Sequence, residues 1–349
     1  MPATAQGGRV LLSLLDRSRT RAEEDDATAL RGTVERAVAA ERLGYDRFWV
    51  AEHHGVPGVA GSAPAVLLAV LAGRTTTIRL GSAGVMLPHH QPLVVAEQFA
   101  TLTAVAPGRV DLGVGRSPGF TAPVRRALRS AQGADDDRFA ADLTELRDHL
   151  EGSAEITAHP RPAGPVPVFV LATGSGLEVA AALGLPVVVG GPLLREDGAD
   201  GRVAALDRYR EHYRPSAGAP GPRVAVSFDV LVADTAERAR DLLLPEAWAM
   251  AQARTTGVFP PLEPVAAIRA GAMTGPQRRY VAQTTAAAVA GTAEQVAEQL
   301  SGLLARTGAT ELVASGSTHD RAALSDSDAA LAALFDRPPA VAGPVRAAP

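Results

Sequence analysis

Arg47-Phe48-Trp49-Val50-Ala51-Glu52-His53-His54 is the stretch on which the fold turns. A short run dominated by apolar and aromatic residues reads as a buried strand, and the abrupt change to an acid and two imidazoles marks its end. Ahead of it, residues 29–43 carry the apolar period of an amphipathic helix, and the same alternation repeats outward along the chain. Strands are expected at 9–15, 47–51, 78–83, 110–115, 166–172, 186–190, 223–232 and 311–315, with helices at 29–43, 93–105, 138–150, 203–213 and 293–304 among them. Eight strands, each followed by a helix, is the count of a (β/α)8 TIM barrel. An open doubly wound parallel sheet is the rival arrangement.

Three stretches exceed a bare barrel: 151–167, 216–222 and 250–291. The last holds Pro260, Pro261, Pro264 and Pro276 and reads as an insertion over one end of the barrel, a lid. The whole of 1–349 is expected as one domain, with poorly ordered tails at 1–8 and 338–349.

Composition removes several chemistries. Hydrophobic residues make up 46% and charged residues 21%, enough for a large core. The formal charge of −4 offers no electrostatic footprint for nucleic acid or an anionic membrane. Without cysteine there are no disulfides, thiolate nucleophiles or Cys-based metal sites. Lysine is also absent, so all 34 basic residues are arginine, which excludes Schiff-base chemistry and the P-loop lysine. The run 162–194 is too broken by Pro and Gly to be a membrane helix, and no secretory signal is visible, so a cytoplasmic location is expected.

In a parallel barrel the informative residues are those at strand C-termini. Four ends stand out: Ala51-Glu52-His53-His54; Gly81-Ser82-Ala83-Gly84-Val85-Met86; Gly113-Val114-Gly115-Arg116-Ser117-Pro118-Gly119; and Ala172-Thr173-Gly174-Ser175-Gly176. Neighbouring His53 and His54 on a strand point to opposite faces, which disfavours a shared metal and leaves a structural pair or a catalytic histidine. His89-His90 reads as a loop pair before a helix. The glycines around Arg116 miss the dinucleotide fingerprint by one position. They suit backbone close to a ligand, with Arg116 a planar fork for a phosphate or else a surface arginine in a turn. Thr173, Gly174 and Ser175 offer hydroxyls and free N–H groups, as an anion pocket or as plain helix capping.

These blocks, together with Leu12-Ser13-Leu14-Leu15-Asp16, Ala96-Glu97-Gln98-Phe99, Pro107-Gly108-Arg109-Val110-Asp111-Leu112-Gly113, Gly291-Thr292-Ala293-Glu294-Gln295-Val296 and Thr307-Gly308-Ala309-Thr310-Glu311-Leu312, resemble the bacterial luciferase-like flavin monooxygenases. The resemblance is to the single-subunit branch that includes oxygenases of antibiotic biosynthesis. It implies a barrel with an insertion after the seventh strand and FMN in the C-terminal mouth. His53 would be the acid/base by the flavin, Arg116 with Thr173, Gly174 and Ser175 the phosphate site, and Ala83–Gly84 the family's non-prolyl cis peptide beneath the ring. It also implies a monooxygenase that takes reduced FMN from a separate reductase and uses O2, through a flavin C4a-(hydro)peroxide, to oxygenate a hydrophobic organic substrate such as an aromatic polyketide. A homodimer is the default expectation. Within the same fold, an F420-dependent hydride-transfer enzyme is the alternative; a non-catalytic flavin-binding protein and a metal hydrolase are more distant ones. Phe120 and Ala172-Thr173-Gly174-Ser175 depart from the common family pattern, and both lie where flavin or substrate would touch.

Overall fold

A computed structural model describes residues 9–129, 136–195, 201–216 and 219–337. Both tails therefore lie outside the described residues. The strands are β1 (Leu11–Asp16), β2 (Arg47–Val50), β3 (Arg79–Met86), β4 (Val110–Gly115), β5 (Val168–Ala172), β6 (Val187–Gly190), β7 (Val224–Phe228), β8 (Val230–Val232), β9 (Val289–Gly291) and β10 (Glu311–Ala314). Eight of them close into a parallel barrel in the order β1-β10-β7-β6-β5-β4-β3-β2, and β8 pairs with β9 in a separate two-stranded sheet. The open sheet is excluded.

The helices are α1 (Asp26–Arg42), α2 (Pro64–Ala72), α3 (Pro92–Val105), α4 (Ala122–Ala127), α5 (Asp136–Glu151), α6 (Gly176–Ala182), α7 (Ala204–Glu211), α8 (Ala236–Thr256), α9 (Val265–Ala270), α10 (Gly275–Ala287), α11 (Ala293–Thr307) and α12 (Arg321–Leu334). The run read as one strand over 223–232 is two: after Phe228 the chain leaves the barrel at Asp229, and Val230–Val232 joins β9 instead. The segment outside the barrel thus spans 230–291, and Met250 falls inside α8 rather than at the insertion's start.

Alternate strand residues pack in two directions. Leu12, Leu14, Phe48 and Val50 face the helices in the main core. Trp49, Phe169, Val188, Ala225 and Val313 fill the barrel's inside, where the Trp49 and Phe169 rings meet edge to face at 5.3 Å. Gly81 makes this possible, because a Cβ there would strike the Trp49 indole. The inside also carries an ion network: Arg47 donates to Asp111 at 3.0 Å and Glu311 at 2.9 Å, and Ser13 donates to Glu311 at 2.6 Å. A packed interior leaves ligands only the ends of the barrel.

Candidate active site

Glu52 is the keystone of the C-terminal rim. Its Oε1 meets His54 Nε2 at 2.7 Å and His90 Nε2 at 2.8 Å, while Oε2 accepts the Met86 backbone N–H at 2.9 Å. The acid at the end of β2 thereby ties down the end of β3 and the turn Leu87–His89 that follows. Burial pushes the Glu52 carboxyl up, but the hydrogen bonds from His90, His54 and Met86 outweigh it and hold the group below its ordinary range. Glu52, His54 and His90 each offer a ligand atom within 4.8 Å of the others, close enough to hold a metal ion. In the structure one carboxylate oxygen sits within hydrogen-bond reach of both rings and clamps them.

The rim continues from β3 to β5. His89 Nε2 lies 3.0 Å from the Ser117 carbonyl, bringing the turn after β3 onto the loop after β4. Arg116 then donates from Nη2 to Ser175 Oγ at 2.9 Å and pairs with Asp136 at the start of α5. His53 and Arg116 therefore sit on the same rim, joined by an unbroken series of contacts through Glu52, His90, His89 and Ser117. Arg116 is partly buried and held by Ser175 and Asp136 rather than free in a turn. Ser175 is the N-cap of α6 but makes no cap bond, its hydroxyl accepting from Arg116 instead. Gly115 and Gly174 flank this pair, and a Cβ on either would project into open space. With only a seven-residue helix behind it, the arginine and hydroxyl rather than the helix end are the groups here that could hold an anion.

His53 and His54 are not the strand neighbours expected from the sequence: β2 ends at Val50 and both lie in the loop after it. His54 turns to Glu52, which His53 does not bond. The His53 backbone N–H donates to Gly61 O at 2.9 Å, but its buried Nδ1 has no hydrogen-bond partner among the described residues. Burial, then the charges of Arg17 and Arg19, push its pKa down to about 4. His53 is a neutral imidazole at pH 7 with one nitrogen unspoken for. Neither cause, the burial first or the two guanidinium groups second, is visible in the local sequence around His53.

Those arginines belong to a cluster that sequence reading missed. Arg17 Nη2 donates to Asp229 at 3.1 Å, Arg17 Nη1 lies 3.4 Å from Glu246 Oε1, and Arg19 Nε donates to Glu246 Oε2 at 2.8 Å. Glu246 on α8 is thus tied to the loop after β1. One signal was available: Asp229 is an acid interrupting an otherwise apolar run. Arg19 also lies 4.1 Å above the Phe259 ring, which faces Phe120 at 6.1 Å. Phe120 thus meets the segment after α8. Between this cluster and α10 lies a cavity of about 650 Å³.

A model of the luciferase-like monooxygenase family matches residues 10–311. The chain belongs to the luciferase-like monooxygenases. Among them, a luciferase-like monooxygenase of Escherichia coli K12 is 35% identical over 324 residues, covering 90% of this chain and 93% of that protein. The N-acetyl-S-alkylcysteine monooxygenase of Bacillus subtilis is 49% identical over 137 residues, 39% of this chain and 41% of that one. The crystal structure of apo-MsnO8 superposes with a TM-score of 0.84 at 32% identity, covering 95% of this chain and 100% of MsnO8, which supports the MsnO8-like branch of the family. More distant structures share the fold alone. They include the oxygenating constituent of 3,6-diketocamphane monooxygenase from Pseudomonas putida with FMN (TM-score 0.68, 17% identity, 93% and 97% covered). An F420-dependent secondary alcohol dehydrogenase with an F420-acetone adduct is another (0.67, 16%, 94% and 99%). Flavin-type cofactors, FMN or F420, are thus the groups bound among this luciferase-like monooxygenase's neighbours.

Proposed function

We propose that the chain is a monooxygenase of organic substrates that uses reduced FMN, delivered by a separate flavin reductase, and O2. The observation that carries this is the Arg116–Ser175 pair on the same rim as a neutral His53 with a free Nδ1. The residues fit the cofactor: Arg116, Ser175 and Thr173 would hold the phosphate, bare backbone at Gly115 and Gly174 leaves it room, and the orphaned imidazole nitrogen awaits a partner. The Ala83–Gly84 peptide is cis, in line with the family resemblance, and lies at the register shift between β3 and β4. When bound, reduced FMN supplies the electrons that activate O2.

The chain's own residues do the rest. Asp136 occupies Arg116 through an ion pair that a phosphate would replace. His53 accepts or returns a proton at Nδ1, and its neutral state at pH 7 keeps that nitrogen available. Helices α8 and α10 roof the mouth and keep water from it, the role of a lid. A homodimer is supported by α2, which is apolar throughout yet leaves Val66 and Val70 68% and 49% exposed.

Titrating the purified chain with FMN and with F420, each oxidised and reduced, tests the cofactor through the fluorescence of Trp49 and Trp248. Saturable binding of FMN that Arg116→Gln weakens supports the proposal. Tighter binding of F420, or FMN binding indifferent to the variant, overturns it.

A further inference from the structure

The cavity beneath the roof contains its own specification. One stripe of α8, at one-turn spacing, lines it with Glu246, Met250 and Arg254, and the last of these lies about 12 Å along the helix from the first. Glu246 is buried and Arg254 exposed, so the stripe runs from the buried Arg17–Asp229–Glu246 cluster out to the entrance. Leu15, Phe228 and Pro192 add apolar wall opposite.

The acids in this wall already have partners. Asp229 and Glu246 share Arg17 of the lining, and Glu246 also holds Arg19, which lies outside the lining, so both carboxylates are engaged without Arg254. Arg254 is left over. Among the described residues no carboxylate lies within ion-pair distance of it; its guanidinium lies 5.1 Å from the Tyr280 ring on α10. Stacking on an aromatic face fixes the plane of a guanidinium and leaves its N–H edge free, ready for a planar anion. Across the entrance, Gln283 and Thr284 of α10 supply further polar edges.

We propose that the substrate is an organic carboxylate with an apolar body, held at the entrance by Arg254 while the apolar part passes Met250 toward Glu246 and His53. This assigns a substrate class to the monooxygenase site proposed above and rests on that reading. It adds a charged end to the expected hydrophobic organic substrate, since the arginine at the entrance pairs with no acid among the described residues. An ammonium-bearing substrate is disfavoured, because both carboxylates are already engaged by arginine.

The test uses FMN-loaded protein and a panel of acids, each against its methyl ester: 4-phenylbutanoate, 6-phenylhexanoate and N-acetyl-S-benzylcysteine. Binding is read by Trp248 fluorescence and calorimetry. At least one acid should bind about 5- to 20-fold more tightly than its ester, a modest margin set by the solvent at the entrance. Arg254→Gln should reduce that preference to below twofold, and Arg254→Lys should keep part of it. If no acid in the panel outbinds its ester, or if the glutamine variant keeps the preference, the inference is refuted. Failure of the protein to take up FMN would instead refute the cofactor reading, so the two outcomes are separate.

Discussion

Acidification should weaken this fold through His53 in a predictable amount. Burial first, and the charges of Arg17 and Arg19 after it, hold the folded imidazole's pKa at about 4, against 6.5 in the unfolded chain. Between those values the unfolded chain binds the extra proton, so stability rises with pH across the window and is lost as pH falls through it. For such a shift the contribution lost between pH 7 and pH 5 is about 1.8 kcal/mol, reduced to about 1–1.5 kcal/mol because the ring keeps some contact with solvent. Other carboxylates titrate in the same range, so the assay compares wild type with His53→Gln by urea denaturation at pH 7 and pH 5. The gap between the two proteins should shift against the wild type by that amount on acidification. Parallel behaviour, or a gap moving in the wild type's favour, would mean that His53 is not held neutral by its neighbours.

Removing the fork at Arg116 with Gln should raise the FMN dissociation constant about 10- to 100-fold, as expected for a charge-assisted phosphate contact, with Lys intermediate; fluorescence titration measures it. Gly113→Ala should destabilise the barrel by about 1–3 kcal/mol in chemical denaturation, because its Cβ would collide with the Ser82 carbonyl oxygen and meet Leu171 Cδ1 at 3.0 Å. The double variant Val66→Glu/Val70→Glu should sediment as a monomer with an unchanged far-ultraviolet spectrum, since it places charge on the exposed apolar face of α2. Sedimentation of the wild type as a monomer would remove the basis for that last expectation.

The barrel was legible because its signal is local. Every expected strand lies within a few residues of an observed one, since a buried parallel strand announces itself by a short apolar run with polar punctuation. The exception, 223–232, contained its own warning in Asp229, whose side chain turns to Arg17 while the chain crosses to another sheet. Residues at strand ends could likewise be found, and Arg116 and Ser175 do meet. What stayed hidden was whatever depends on two distant segments coming together. Glu52 sits beside His53 in the chain, yet its work is to reach His90, 38 residues on. Arg19 meets Glu246 across 227 residues, and no local pattern distinguishes either from a solvated surface charge.

An absence in the composition explains how those distant pairings are built. With arginine as the only basic residue apart from histidine, each buried cation presents a flat fork with donors on several edges, so one side chain can serve two acids at once. Arg47 bridges Asp111 and Glu311 inside the barrel, Arg36 bridges Asp16 and Asp328 between α1 and α12, and Arg17 bridges Asp229 and Glu246 at the mouth. A lysine ammonium is a point donor on a flexible stem and would not reproduce these fixed two-sided geometries. The same property makes Arg254 informative. Where these buried arginines each gather two acids, the exposed Arg254 at the cavity entrance meets an aromatic ring and, among the described residues, no acid, and so has donor edges left for a ligand to supply the other side.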